Sequence, residues 1–416
     1  MTKTNEHLDD KWVKNISLFL GGQAISLFGS ALVQYAIMWY ITLTTQSGIM
    51  MTISIICGFV PTFFLSPFAG VWADRYNRKL LIVLADSLIA ISTLVLAILF
   101  LMGYDAIWLL FLMSAIRAIG TGIQTPAVGA ILPQLVPKDK LTKVNGINGS
   151  IQAVITLVAP MISAALLTVS TLEVIFFIDV ITAAIAIFIL LVFLRVKAHA
   201  KAVQTEKVSY FADFKKGLVY INNHDFLKPF FIFFAVFFVL MAPAAFLTPL
   251  QVTRSFGDDV WRLTAIEITF SIGMMVGGGV IAAWGGFNNK IHTMTLASLW
   301  FGVCTFALGI VPVFWIYLFF MGLTGIAMPI FNTPATVLLQ EKVEENYLGR
   351  VFGVLGMIST SMMPIGMLIF GPIADVIDIE WLLIGTGILM FFLGFFLLGS
   401  KALLRAGMPT ETETAK

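Results

Sequence analysis

Gly70-Val71-Trp72-Ala73-Asp74-Arg75-Tyr76-Asn77-Arg78-Lys79 joins two long apolar stretches, and Leu80-Leu81-Ile82-Val83 opens the second of them. One acid and three bases fall between Asp74 and Lys79. A charged run that short, between segments long enough to cross a bilayer, reads as a tight turn on one membrane face. The fold then depends on how many such segments the chain holds and where its other basic turns lie.

Of 416 residues, 59% are apolar and 12% are charged, and the mean hydropathy is +0.96. A soluble chain would carry about 25% charged residues. The 37 Phe and 34 Gly suit a membrane protein, where Gly lets helices approach closely. A net charge of +2 is too small to suggest nucleic acid. Cys57 and Cys304 lie far apart in apolar runs, as buried free thiols do, and point to no metal site or disulfide framework. No nucleotide-binding loop, metal cluster or nucleophile–base arrangement is present. The chain is therefore expected to be no enzyme and no ATP-driven pump, and to need no cofactor. Met1 to Lys14 is mixed in charge and the first apolar run is too long for a leader, so no cleavable signal is expected.

A spanning helix needs about 20 apolar residues. Twelve segments qualify, near 16–43, 49–73, 80–102, 106–131, 144–169, 174–195, 226–251, 261–284, 291–311, 313–338, 350–375 and 381–400. Continuous apolar runs exclude a membrane β-barrel, which alternates residue by residue. The chain thus reads as an all-α polytopic protein of the cell membrane. With the N-terminus inside, 22 of the 25 Lys and Arg fall in cytoplasmic segments. Arg254 and Arg262 fall outside, and Arg117 lies within a span. This bias predicts that both termini are cytoplasmic.

The polar stretch 196–225 divides six spans from six. The expected organisation is an N-terminal half (1–195), a cytoplasmic linker (196–225), a C-terminal half (226–405) and a cytoplasmic tail (406–416). Within the linker Phe211, Phe214, Leu218 and Ile221 recur at helical spacing, with Lys215 and Lys216 off that stripe. That pattern suits a short amphipathic helix on the inner leaflet, and a partly disordered linker is the alternative. The halves read as repeats. Thr125-Pro126-Ala127 recurs as Thr333-Pro334-Ala335, and Asn77-Arg78-Lys79 has a fainter echo in Asn288-Asn289-Lys290.

The run from Gly70 to Lys79 resembles the loop between helices two and three of the major facilitator superfamily, whose signature holds Gly, Asp, Arg, Gly, Arg and Lys. Asn77 replaces the second glycine; Asn tolerates positive φ, so the turn can survive. The resemblance implies twelve helices in two six-helix pseudo-repeats, with substrate bound near the midplane between parallel repeats. It also implies a gating loop of Gly70, Asp74, Arg75, Arg78 and Lys79 that locks the cytoplasmic side, the charges pairing with and capping helix ends across the two halves. Arg117, followed by Gly120 and Gly122, is similar to a second superfamily signature linked to proton coupling. Leu157 to Ala165, around Pro160, looks like a degraded antiporter signature, and Gly371-Pro372 stands in the corresponding span. Gly22-Gln23, Ala85-Asp86 and Phe177-Ile178-Asp179 bring the pattern nearest to the drug:proton antiporter branch that includes bacterial macrolide-efflux proteins.

An arginine at the bilayer centre costs about 2.5–3.5 kcal/mol on insertion scales, so Arg117 must face a partner or a polar cavity. Asp86, Asp179, Glu267 and Asp375 lie within or at the edge of spans. Asp86 is placed to reach back to Arg75 or Arg78. Asp179 is expected near the outer end of its span, and Asp375 is expected to be solvated. Glu267 is the most isolated, since Arg262 sits off its helical face. Burial disfavours its charged form, as a proton carrier requires. Proton-coupling candidates are therefore Glu267, Asp86, Asp179 and Arg117. Gln34, Tyr35 and Met38 are candidates to line an adaptable substrate cavity, with Trp39 beside them. The expected activity is secondary export of amphipathic organic compounds, driven by the proton gradient, by a monomer in the bilayer. Export of a siderophore-like metabolite or of a lysophospholipid on the same fold is the alternative.

Overall fold

In lipid each backbone N–H and C=O must be satisfied within its own segment, so apolar runs of this length fold as helices. The computed structural model describes residues 3–137, 140–194 and 210–408, with only the backbone given for 3–11, 67, 74, 142, 210–216, 345 and 346. Among the described residues it is all-α. The first six long helices are α1 (Lys3–Thr45), α2 (Gly48–Arg75), α3 (Arg78–Leu101), α4 (Ile107–Leu135), α5 (Leu141–Val169) and α6 (Leu172–Val192). A shorter α7 (Tyr210–Asn223) precedes α8 (Leu227–Ala242), a π-helical turn (Pro243–Leu247) and α9 (Thr248–Ser255). Then come α10 (Val260–Trp284), α11 (Lys290–Ile310), α12 (Phe314–Lys342), α13 (Glu345–Ile373), α14 (Ile379–Gly399) and α15 (Lys401–Ala406). Among the described residues, twelve helical segments are long and apolar enough to cross a membrane, with α8, the π turn and α9 forming one of them. Each overlaps one of the twelve expected spans, within a few residues at most ends. Pro243 and Pro249 frame the π turn; neither has an N–H for the ladder, which explains its widening.

The chain folds as two units, Met1–Ile41 with Ile53–Glu206, and Thr42–Thr52 with Lys207–Lys416. In unit 1 the basic turn does not act by charge alone. Asn77 caps α3, accepting from Leu80 N–H at 3.3 Å with φ −65° and ψ 111°. Its backbone is extended, so the expected positive-φ turn is not formed. Asn is tolerated there because its side chain accepts a helix-end N–H. Unit 2 repeats the device: Asn289 caps α11 by accepting from Ile291 N–H at 3.0 Å. It also donates to Leu404 C=O at 2.9 Å, holding α15.

Unit 2 packs by shape. Phe233, Phe234, Phe237, Phe301 and Phe331 are fully or almost fully buried, and the Phe237 and Phe331 rings stack 4.5 Å apart. A β carbon on Gly302 would lie 2.6 Å from Phe391 N and 2.8 Å from Gly387 O. That close approach of α11 and α14 is open only to glycine. Helix α7 docks on this unit: Tyr220 stacks on Tyr347 of α13 at 4.1 Å, and the Arg350 guanidinium lies 5.4 Å from the Tyr347 ring centroid. It therefore packs on protein, with Ile221 buried; the expected Phe211 and Phe214 contacts, and residues 195–209, lie outside the described residues.

Segment 42–52 belongs to unit 2 because Asp375, at the end of α13, grips it. The carboxylate accepts from Ser47 Oγ (2.8 Å), Gly48 N–H (2.6 Å) and Ile49 N–H (2.9 Å) at the start of α2. Arg254 donates to the same carboxylate at 3.0 Å and to Gln46 C=O at 2.5 Å. Asp375 is thus bonded rather than merely solvated. Partial burial alone would raise its pKa, but the N–H groups of Ile49 and Gly48, the Ser47 hydroxyl and Arg254 together hold it below the usual carboxylate range.

Two outcomes follow from this packing. Gly302→Val should lower the melting temperature in detergent by several degrees. Gly385→Ala, whose β position meets nothing within 4 Å, should not. Because the folded pKa of Asp375 is depressed, its anchoring is complete above the ordinary carboxylate pKa of about 3.9 and is lost as pH falls through the lower folded value. Asp375→Asn should melt earlier than the parent at pH 7, and the two curves should converge below about pH 4. A gap that stays constant with pH would remove the carboxylate from the anchor.

Candidate functional site

A polar cluster in unit 1 lies where α1, α3, α4 and α6 meet, and glycines bring those helices together. A β carbon on Gly29 of α1 would lie 3.1 Å from Asp179 Cα of α6. One on Gly120 of α4 would lie 2.5 Å from the Ile89 side chain and 3.2 Å from Ala85 O of α3. Gly122 faces Thr62 of α2 at 3.2 Å, and Thr62 Oγ1 donates to Ala118 C=O of α4 at 2.7 Å. The glycines after Arg117 are therefore packing devices that let α4 lie against α2 and α3.

Arg117 of α4 donates through Nη1 to Asp179 Oδ2 at 2.5 Å and to Thr93 Oγ1 at 2.9 Å. Its Nη2 donates to Ser30 C=O at 3.0 Å. Ser30 Oγ donates to the other carboxylate oxygen of Asp179 at 3.2 Å. The Thr93 hydroxyl lies 3.2 Å from Asp179 Oδ2 and 2.9 Å from Ile89 C=O, and shares its single proton between them. The Asp179 side chain is 0% exposed and that of Arg117 is 11% exposed. Opposite charges neutralise each other inside the bundle, and the surrounding hydroxyls and carbonyl occupy the remaining donors and lone pairs. This is the condition under which a buried ion pair is tolerable. Asp179 sits two turns inside α6, counted from Leu172.

Asp86 of α3 takes an amide from α4 as its partner, not the expected Arg75 or Arg78. Gln124 donates to its Oδ1 at 2.6 Å, while Oδ2 is buried without a partner. Arg78 instead donates to Ala73 C=O at 2.8 Å and Ala130 C=O at 2.6 Å. Lys79 reaches Leu194 C=O at 2.8 Å and Leu191 C=O at 3.2 Å, at the end of α6. These bases close helix C-termini within unit 1, where backbone carbonyls attract cations. Gly70 has open space at its β position, Arg75 is exposed, and the Asp74 side chain lies outside the described residues.

In unit 2, Glu267 of α10 is half-buried. No ion pair or hydrogen bond joins it to a described residue. Arg262 turns away from it, pairing with Asp259 at 3.4 Å and lying 5.5 Å from the Trp261 ring centroid. On α1, Gln34 is exposed, Tyr35 and Met38 are half-buried, and Trp39 is fully buried against the Tyr35 ring at 5.6 Å. Sequence reasoning missed Ser30, Thr93 and Gln124. Helical spacing carried the signal: Thr93 follows Asp86 by seven residues, and Gln124 follows Arg117 by seven.

The family model described as Major Facilitator Superfamily matches residues 16–367. The chain belongs to the Major Facilitator Superfamily. It is 31% identical over 381 residues to macrolide efflux protein A of Streptococcus pyogenes, covering 91% of this chain and 94% of that one. It is 24% identical over 397 residues to the staphyloferrin A transporter of Staphylococcus aureus, covering 93% and 97%. Among solved structures it superposes on a mutant of the nucleoside transporter NupG with a TM-score of 0.70 at 14% identity, covering 93% of this chain and 99% of that one. The chain is thus a multi-pass membrane transporter of small molecules, with the fold of its superfamily.

In this transporter, removing one partner of the buried pair leaves an uncompensated charge, which costs about 3–5 kcal/mol in measured cases. Arg117→Ala should therefore lower the melting temperature in detergent sharply, and Asp179→Asn on the same chain should restore part of the loss. Additive losses from the two changes would contradict the ion pair.

Proposed function

We propose that the protein exports amphipathic organic cations, macrolides among them, from the cytoplasm in exchange for protons. The single observation that carries this reading is the 31% identity to macrolide efflux protein A along 91% of the chain. The Lys and Arg bias supports an orientation with both termini in the cytoplasm. Two compact units are the parts that alternating access requires.

The chemistry of exchange rests on the different settings of the intramembrane acids. Asp179 is neutralised by Arg117, so it offers no free charge to a cargo. Among the described residues no cation pairs with Glu267. A lone carboxylate holds either a proton or a cationic amine, and the two compete. Competition at one group, presented alternately to the two sides, is itself an antiport mechanism. Gln34, Tyr35 and Met38 of unit 1 offer an amide and adaptable apolar surface to an amphipathic cargo. A siderophore-like anionic metabolite is the second reading, supported by the likeness to the staphyloferrin A transporter.

The test is uptake into everted vesicles under an imposed pH gradient, with one cationic macrolide, one neutral amphiphile and one siderophore. Macrolide export should vanish with a protonophore. Glu267→Gln, a mimic of the protonated form, should reduce cation export at least tenfold and the neutral compound far less. Equal, near-parental export of both would remove Glu267 from the mechanism. Transport of the siderophore alone would favour the second reading.

A further inference from the structure

Unit 1 holds a second polar layer, two helical turns from the Arg117–Asp179 pair. Seven residues return to the same helix face after a rise of about 10 Å. Stepping back seven on α1 goes from Ser30 to Gln23, and on α3 from Thr93 to Asp86. Stepping forward seven goes from Arg117 to Gln124 on α4, and from Asp179 to Ala186 on α6. Successive spans alternate in direction, so all four steps move the same way, toward the turns that carry Lys79 and Lys140. Two contacts fix the register. Gln124 Nε2 lies 2.6 Å from Asp86 Oδ1, and the β position of Gly22, next to Gln23, meets Ala186 at 3.9 Å.

This layer is buried and unfinished. Asp86 is 2% exposed and Gln23 is 3% exposed. Asp86 Oδ2 and Gln23 Nε2 each lack a hydrogen-bond partner. Among the described residues no cation pairs with the Asp86 carboxylate. The charged groups facing it are Arg117 from α4 and Asp179 from α6, which neutralise each other one layer away. Arg78 and Lys79, two turns back on α3, are bonded to carbonyls. An ionised carboxylate with one oxygen unpaired in such a place carries a large desolvation penalty. A proton on Oδ2 removes the charge and supplies a donor.

We propose that Asp86 is a second proton-binding site of the transport cycle, in the half of unit 1 nearest its basic turns, with Gln124 as its amide partner. The inference rests on the proton-coupled reading above. Gln124 donates to Oδ1 in either charge state. Gln23, buried in the same layer with its Nε2 unpaired, adds a second amide there. A hydronium gives its proton to Oδ2 and leaves as water, and on the other side of the cycle Oδ2 returns the proton to water.

Asp86→Asn keeps the shape and the Gln124 bond but cannot take a proton. The experiment uses purified protein in liposomes with radiolabelled erythromycin as probe. It compares erythromycin exchange at equal pH on both sides, accumulation driven by a pH gradient, and protons released on erythromycin binding in weak buffer. Exchange should stay within about twofold of parent, gradient-driven accumulation should fall at least tenfold, and about one fewer proton should be released. Parental accumulation and proton release in Asp86→Asn would overturn the proposal, as would equal losses of exchange and accumulation. Should Asp86→Asn fail to fold, Asp86→Glu decides: it should stay coupled with its pH–rate midpoint moved by about half a unit or more, and a profile superimposed on the parent would overturn the site. A parent that shows neither gradient-driven transport nor proton release would instead sink the proton-coupled reading itself.

Discussion

The buried pair of Arg117 and Asp179 is the constraint on which unit 1 is built. A guanidinium inside a bilayer must find a carboxylate and further acceptors, or the helix that carries it does not insert at that depth. Meeting that need takes four helices at once: Ser30 from α1, Thr93 from α3, Arg117 from α4 and Asp179 from α6. The glycines at 29 and 120 are consequences of it, since only they let the backbones close to hydrogen-bonding range around the pair.

At the equivalent position of its repeat, unit 2 packs without charge. Thr125 in α4 corresponds to Thr333 in α12 through the repeated Thr-Pro-Ala. Eight residues before Thr125 stands Arg117; eight before Thr333 stands Gly325. A β carbon on Gly325 would lie 3.1 Å from Gly273 Cα and closer still to Phe270 O. One repeat therefore uses an ion pair where the other uses interlocked glycine backbones and a phenylalanine core.

The twelve spans were legible because a bilayer demands about 20 apolar residues in a row, a signal local to each segment. That Arg117 needs a partner was legible from the energetic cost of leaving it alone. Which acid it takes was not, because Asp179 is 62 residues away and the choice depends on how α4 and α6 pack. Asp375 is exposed, as expected, but its partners were not legible for the same reason: its donors are Ser47, Gly48 and Ile49, more than 300 residues earlier. Asn77 was read through its tolerance of positive φ, while the structure uses its side chain as a helix cap. The heptad spacing of Asp86 with Thr93 and of Arg117 with Gln124 was visible in the sequence, but only meaningful once α3 and α4 were known to touch.

The central claim is that cargo and protons move in opposite directions through one protein, and the most direct measurement needs no mutation. Liposomes holding the purified transporter, a pH-sensitive dye and no pH gradient are given a macrolide gradient across the membrane. A macrolide moving down its gradient in one direction should drive protons in the other, and the dye should report a pH change that a protonophore abolishes. Macrolide flux with no change in internal pH, beyond that of protein-free liposomes, would contradict the account.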